Sequence, residues 1–179
     1  MNNFDQIRPL RIGLLDSGVG GLSILEKIKQ KNLNACFYYC FDNEYFPYGA
    51  LDEETLVHRV ADVAKSFQAR CQLDMLVIAC NTASTVCLPT LRHLFSVPVV
   101  GVVPAIKTAA QVSQTKTIGL IATPATIKRD YTSQLIQEFA PNCHFIKIGS
   151  LALVRQAESK MRGTGGSSEI LKQELAPLV

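Results

Sequence analysis

Short segments rich in Val, Ile and Leu alternate with helical patterns along most of this 179-residue chain. Apolar segments of this length, bounded by turn residues, are typical of strands buried in a parallel sheet. The clearest helical pattern spans Asp52–Arg70, where the apolar residues fall on one stripe. The alternation predicts an α/β fold with a doubly wound, mostly parallel sheet. We predict strands near Leu10–Leu15, Cys36–Phe41, Met75–Ala79, Val99–Val102, Thr117–Ala122 and Cys143–Ile148.

The strand–helix units predict two domains of similar plan. Three units precede residues 96–100, so we expect one α/β domain over residues 1–97 and a second over residues 98–179. The halves repeat a pattern, because Ala122-Thr123-Pro124 follows a strand in the second half as Asp16-Ser17 does in the first. The Gly/Ser-rich stretch 163–168 is predicted to be a surface loop between two helices.

Cys80-Asn81-Thr82 follows directly behind an apolar strand and opens a predicted helix. In open α/β sheets, ligands bind at the carboxyl ends of the strands. The positive end of a helix dipole favours thiolate, so this placement predicts a nucleophile or a base at Cys80. The alternative is a buried cysteine that packs as a small hydrophobe.

A second strand-to-helix corner is formed by Asp16-Ser17-Gly18-Val19-Gly20-Gly21. It places a carboxylate and a hydroxyl at the same kind of position, and its glycines permit a tight turn and close approach to a small ligand. One alternative is a plain helix cap by Asp16 or Ser17. A phosphate cradle is another, but no Gly-Lys-Ser/Thr follows and the G-x-G-x-x-G spacing is missing.

Composition excludes several classes of function. The net charge of +3 comes without a basic block of the kind that nucleic-acid binding needs. There is no run of 18 apolar residues and no signal-peptide pattern, so we expect neither a membrane partner nor export. Six unevenly spaced cysteines then indicate reduced thiols and a cytoplasmic location. Without a C-x-x-C pair, and with three histidines, the sequence indicates no metal site.

Four motifs in order resemble glutamate racemase, and the resemblance covers the chain from about Arg11 onward. They are Asp16-Ser17-Gly18-Val19-Gly20-Gly21-Leu22, Phe46-Pro47-Tyr48-Gly49, Ala79-Cys80-Asn81-Thr82-Ala83-Ser84 and Gly101-Val102-Val103-Pro104-Ala105. The resemblance implies an isomerase of two α/β domains facing each other across a ligand cleft, each bringing one cysteine. It implies interconversion of L- and D-glutamate without cofactor, supplying D-glutamate for bacterial peptidoglycan. It leaves a homodimer open.

The resemblance also implies roles for particular residues. Cys80 would be the base that faces D-glutamate, and Asp16 would position the ammonium group and tune Cys80. Hydroxyl, amide and backbone groups would bind the substrate, from Ser17, Tyr48, Gly49, Asn81, Thr82, Thr123 and Thr126. Tyr48 has an alternative as part of a structural Pro-Tyr-Gly turn, and Thr123 as a plain N-cap. We interpret Asp42 and Glu44 as parts of a solvated loop.

Two positions depart from the family pattern. Glutamate racemases carry a second cysteine in a Gly-Cys-Thr-His motif, which does not occur in this sequence. Val179 stands just before the strand expected to carry it, so we expect a C-terminally truncated racemase with little or no activity on its own. Arg155 stands where members often have a glutamate, and Glu158 offers a carboxylate nearby.

Other functions stay open at this point. One is a non-catalytic small-ligand-binding or interaction protein on a racemase scaffold, which the absent second cysteine favours. Another is a related aspartate or hydantoin racemase. A nucleotide-binding function of the glycine loop is a more distant alternative. A thiolate at Cys80 favours the racemases, because simple binding does not need one.

Overall fold

The computed structural model describes residues 8–31 and 33–179. Its strands are β1 (Leu10–Asp16), β2 (Ala35–Phe41), β3 (Met75–Ile78), β4 (Val99–Gly101), β5 (Thr117–Ala122) and β6 (His144–Gly149). Its α-helices are α1 (Leu22–Lys29), α2 (Glu53–Cys71), α3 (Asn81–Ser84), α4 (Leu88–Leu94), α5 (Ile106–Val112), α6 (Pro124–Lys128), α7 (Asp130–Phe139), α8 (Leu151–Met161) and α9 (Ser168–Leu175). Short 3₁₀ turns lie at Asn43–Tyr45, Tyr48–Ala50 and Ala176–Leu178. The predicted mostly parallel α/β fold is confirmed.

The first lobe, residues 10–101, is built on a four-stranded parallel sheet in the order β2-β1-β3-β4. Strand β1 lies inside the sheet and is buried from Ile12 to Asp16. Helix α1 packs on one face of the sheet, over Ile12, Leu14 and Val77. Helices α2 and α4 cover the other face, where Leu15 and Leu76 belong to a larger buried cluster. Helices on both faces make the lobe doubly wound, as the continuous apolar strands predict.

Strand β4 corrects the expected division of the chain. We placed the boundary between residues 97 and 98, which assigns this strand to the second unit. In the structure β4 pairs in parallel with β3, with Leu76 opposite Val99 and Ile78 opposite Gly101. The first sheet therefore extends to Gly101. An apolar strand can pair with the free edge of either sheet, and the local sequence does not show which sheet it joins.

The second lobe, residues 106–178, contains one parallel pair, β5 and β6. Its core is small, with Ile106, Ala110 and Ala140 buried among partly buried neighbours. Ile121 on β5 is 46% exposed. Within the described residues, β5 has a strand on one edge alone. The second sheet is therefore far less enclosed than the first.

Helix boundaries follow capping and proline placement. Asp52 caps α2 by accepting a hydrogen bond from the Thr55 backbone N–H at 2.9 Å. Pro124 lies in the first turn of α6, where its missing N–H costs no helical hydrogen bond. Pro89 lies in the first turn of α4 for the same reason. Pro104 lies two residues before the start of α5 at Ile106. No helix among the described residues is long and apolar enough to cross a membrane.

Candidate active site

A cavity of about 440 Å³ lies between the two lobes, at the carboxyl ends of β1, β3 and β5. Parallel strands bring their carboxyl ends to one edge of a sheet, which is where this fold class binds ligands. The cavity wall includes all nine residues singled out from the sequence, namely Asp16, Ser17, Tyr48, Gly49, Cys80, Asn81, Thr82, Thr123 and Thr126. Residues more than a hundred positions apart in sequence are thus neighbours in one wall.

Cys80 lies two residues beyond the end of β3, at the N-cap position of α3, and its side chain is 7% exposed. Its Sγ lies 3.8 Å from the Ser17 Oγ. Burial and the charge of Asp16 raise the pKa of the Cys80 thiol to about 12, although the Ala83 backbone N–H and Ser17 lower it. Burial therefore works against the thiolate that the position at the start of a helix favours. Helix α3 has four residues, and its dipole is too small to offset burial.

Asp16 is a buried carboxylate held by the loop that follows it. Its Oδ1 accepts from the Ser17 backbone N–H and its Oδ2 from the Gly21 backbone N–H, both at 2.7 Å. The Tyr39 hydroxyl lies 3.4 Å from the same Oδ2 and donates to the Gly18 carbonyl at 2.9 Å. Burial raises the pKa of Asp16, and these backbone bonds oppose the rise. The glycine loop thus orients a carboxylate whose charge is poorly solvated.

Tyr48 belongs to a buried network that the sequence analysis missed. Its side chain is 1% exposed, and its hydroxyl donates to the Asp42 Oδ2 at 2.9 Å. Arg59 on α2 donates to both Asp42 oxygens at 2.7 Å. Burial would raise the pKa of Asp42, but the bonds from Arg59 and Tyr48 hold it below its ordinary value. Asp42 was assigned to a solvated loop, which is wrong, whereas Glu44 beside it is exposed.

The second lobe reaches the first through a chain of hydroxyl groups. The Thr82 Oγ1 lies 3.3 Å from the Thr123 Oγ1, which lies 2.9 Å from the Thr126 Oγ1. Thr123 also caps α6, because its Oγ1 accepts from the Thr126 backbone N–H at 3.2 Å. A Cβ placed on Gly49 would lie 2.4 Å from the Thr123 Cγ2, so the lobes touch there without space for a methyl group.

Glu158 on α8 provides a second carboxylate in the cavity wall. It is 8% exposed and accepts from the Val19 backbone N–H at 2.9 Å and from the Arg162 Nε at 2.8 Å. A Cβ on Gly18 would lie 2.6 Å from the Glu158 carboxylate oxygens. Arg155, one turn earlier, is exposed. The carboxylate that the sequence analysis noted near Arg155 therefore reaches the glycine loop of the opposite lobe.

The wall chemistry suits a small polar ligand with groups of both charges. Asp16 and Glu158 attract a cation, while hydroxyl and backbone N–H groups attract carboxylates. Among the described lining residues Cys80 is the one thiol, and it stands where it reaches the cavity interior. Across the described part of the chain, no group of three or more His, Cys, Asp or Glu residues is arranged to hold a metal ion.

The structure defines the class of protein: it has two α/β lobes with parallel sheets and a candidate acid–base site between them. In that site a thiol lies beside a carboxylate. The sequence model of the Asp/Glu/Hydantoin racemase family matches residues 17–179. The chain therefore belongs to the Asp/Glu/hydantoin racemase family, and the resemblance read from its motifs is confirmed.

Curated relatives agree with this membership. The chain is 52% identical over 162 residues to the glutamate racemase of Histophilus somni strain 129Pt, covering 90% of this chain and 61% of that protein. It is 51% identical over 164 residues to the glutamate racemase of Photorhabdus laumondii, covering 92% of this chain and 57% of that protein. The chain thus spans about three fifths of the length of these relatives.

Solved structures give the same result for the fold. The structure of Escherichia coli glutamate racemase in complex with L-glutamate and the activator UDP-MurNAc-ala superposes with a TM-score of 0.90 at 45% identity. The match covers 94% of this chain and 64% of that one. Glutamate racemase from Aquifex pyrophilus superposes with a TM-score of 0.74 at 29% identity, covering 94% and 66%.

Proposed function

We propose that this chain carries one of the two acid–base groups of a cofactor-independent glutamate racemase, with Cys80 as the base for D-glutamate. The observation that carries the proposal is the Cys80 sulfur, buried beside Asp16 in the wall of the interlobe cavity. The similarity to glutamate racemases supports glutamate as the substrate. The whole protein would then supply D-glutamate for peptidoglycan in the cytoplasm.

The first step is removal of the α-proton. The Cα–H bond breaks, the proton moves to the Cys80 sulfur, and the electron pair stays on carbon and spreads into the adjacent carboxylate. Without a cofactor as electron sink, hydrogen bonds and charges of the wall must stabilise this carbanion. The hydroxyl and amide groups of Ser17, Asn81, Thr82, Thr123 and Thr126, with backbone groups of Tyr48 and Gly49, would bind the two carboxylates.

Substrate binding would also prepare the thiol. The charge of Asp16 is one of the two main causes of the raised pKa of Cys80. An ammonium group placed beside Asp16 would offset that charge and so lower the pKa of the thiol. Asp16 therefore couples recognition of the amino group to formation of the thiolate, and the base becomes active when an amino acid is bound.

The second acid–base group would come from a strand beside β5. The parallel pair β5–β6 repeats the pair β1–β2, and the other edge of β1 pairs with β3, which leads into Cys80. A corresponding strand on the open edge of β5 would end across the cavity from Cys80. We propose that the longer relatives place their second cysteine there, and that the two lobes are repeated domains.

Protection of the thiol from alkylation tests the substrate site. The 179-residue protein is treated with iodoacetamide with and without D-glutamate, and each cysteine is followed by peptide mass spectrometry. We expect glutamate to slow alkylation of Cys80 and not of Cys87, which is also buried but does not line the cavity. Protection by a nucleotide alone would favour the nucleotide-binding alternative, and protection by aspartate alone an aspartate racemase.

Hydrogen exchange tests the chemistry. We expect the 179-residue polypeptide to exchange the α-hydrogen of D-glutamate with heavy water slowly, with retention of configuration, because Cys80 acts from one face. NMR follows the exchange and circular dichroism follows optical activity. Cys80→Ser should abolish the exchange and Cys87→Ser should preserve it. Loss of optical activity at the rate of a complete racemase would contradict the one-base assignment, and glutamate protection without any exchange would favour a non-catalytic binder.

A further inference from the structure

The cavity wall has an imbalance of charge. Asp16 and Glu158 are buried carboxylates, and no Lys, Arg or His is found among the described lining residues. The proposed substrate brings two carboxylates into this wall, and the proposed base must become a thiolate in it. The ammonium group of the substrate offsets one carboxylate, and Arg162 pairs with Glu158, but the second carboxylate and the thiolate still add negative charge beside Asp16. A cation behind the wall would favour both of these changes.

Arg129 of the second lobe lies directly behind this wall. It precedes α7, and its side chain is 11% exposed. Its Nη1 donates to the Thr82 carbonyl at 2.7 Å and to the Thr85 hydroxyl. Thr82 is two residues beyond Cys80, on α3 of the first lobe. The guanidinium therefore joins the second lobe to the segment that holds the thiol.

The charge of Arg129 is weakly compensated. Its nearest carboxylate, that of Glu53, is 4.0 Å from the Nε and is 67% exposed, so solvent screens the pair. Arg162 is the other arginine between the lobes, and its charge is taken up by the buried Glu158 carboxylate at 2.8 Å. A thiolate at Cys87 or Cys80 would interact favourably with the Arg129 guanidinium, and that of Cys87 more strongly.

We propose that Arg129 is a positioning residue that fixes the Cys80 segment against the second lobe and supplies the positive charge that the cavity wall lacks. The proposal rests on the proposed function for the identity of the anionic ligand, a dicarboxylate. The electrostatic effect of Arg129, a cation that favours anions at the Cys80 sulfur, can be measured without any racemase activity. Separation of the lobes would move this charge away, so the site is electrostatically complete when the lobes are closed.

Competition between two alkylating reagents tests this charge. Iodoacetate and iodoacetamide are similar in size and both react with the thiolate, so the ratio of their rates at Cys80 cancels the thiolate fraction and most of the accessibility. The ratio reports the local potential, and it is measured for each cysteine by peptide mass spectrometry. The variants are Arg129→Gln, which can still donate to the Thr82 carbonyl, and Arg129→Lys, which keeps the charge.

We expect Arg129→Gln to lower the iodoacetate preference at Cys80 about fivefold, and Arg129→Lys to keep it within about twofold of the original protein. The control is Arg92→Gln, since Arg92 also donates to a backbone carbonyl, that of Val99, but within the first lobe. This control should leave the ratio unchanged. If the role of Arg129 were purely structural, each variant would change the alkylation rates of both reagents by the same factor. The rate ratio would then be the same in the Gln and Lys variants.

Glu53→Gln keeps the test decisive if Arg129→Gln does not fold, because Glu53 is exposed. Removing this carboxylate should raise the iodoacetate preference about 1.5-fold at low salt. An unchanged ratio in Arg129→Gln, or a lowered or unchanged one in Glu53→Gln, overturns the proposal. Failure of the racemase proposal is seen separately, as absence of glutamate protection and of α-hydrogen exchange.

Discussion

The two lobes share a parallel β-pair but differ in how they are enclosed. In the first lobe β1 lies between two strands, and five of its seven residues are buried. In the second lobe β5 has one partner strand within the described residues, and its residues alternate between exposed and partly buried. The comparison shows that a parallel pair alone does not make a core. In the first lobe, a strand on each edge of β1 and helices on both faces of the sheet bury this strand.

Amide hydrogen exchange gives the largest expected contrast. Amides of β1 and β3 should exchange only when the first lobe unfolds, whereas those of β5 and β6 should open locally. We expect exchange in β5 to be at least about a hundredfold faster than in β1, measured by NMR or mass spectrometry. Equal protection in both sheets would instead show that the lobes unfold as one unit.

Truncating one β-strand side chain in each lobe should destabilise the two lobes by different amounts. Leu14 on β1 is fully buried, so Leu14→Ala should lower the free energy of unfolding by about 3 kcal/mol. Ile121 on β5 is 46% exposed, so Ile121→Ala should cost under about 1 kcal/mol. Urea denaturation measures both. Similar losses would mean that the second lobe is packed as tightly as the first in solution.

The buried ion pair of the first lobe should contribute more to the free energy of unfolding than a surface ion pair does. Asp42→Asn removes the charge that Arg59 and Tyr48 contact, and we expect a loss of about 2 kcal/mol. The control is Asp62→Asn, because the Asp62–Lys65 pair is exposed, and it should change stability by less than about 0.5 kcal/mol. An equally small loss at Asp42 would show that the buried pair adds no net stability.

The sign of the acid response follows from the lowered pKa of Asp42. A carboxyl group with a folded-state pKa below its unfolded value stabilises the fold above the unfolded pKa, near 4, and this contribution is lost as the pH falls. The loss should be absent in Asp42→Asn. A variant that keeps the original acid profile would place the responsible carboxylate elsewhere.

The smallest effect per group is expected at mildly alkaline pH, and it acts on the first lobe. Burial raises the pKa of both Cys80 and Cys87 from 9.0 to about 12. Groups with raised folded-state pKa values stabilise fully below the unfolded pKa, and this stability is lost as the pH rises toward 12. We expect each thiol to cost about 1 kcal/mol between pH 9 and 10, and Cys87→Ala to flatten the profile.

The strands and the cavity wall could be predicted because their signals are local. Apolar segments mark the strands, and Asp16 and Cys80 stand directly behind two of them. The failures concern partners distant in sequence. Asp42 was predicted to be solvated because its partner Arg59 lies on a different element, α2. Strand β4 was predicted to start a new unit because no local pattern shows that it pairs with β3. Local sequence therefore predicts the individual strands and helices, whereas the contacts between them depend on the tertiary fold.

The contact between Gly49 and Thr123 has a consequence for molecular evolution. At this point a backbone hydrogen atom fills the gap between the lobes, and a methyl group would overlap the threonine side chain. The aperture between the lobes is thus set by the smallest side chain available. Drift at this position is one-sided, since every substitution adds volume and spreads the lobes. Each such change would alter the width of the cavity without adding a new chemical group to its wall, so this position acts on the cavity by volume alone.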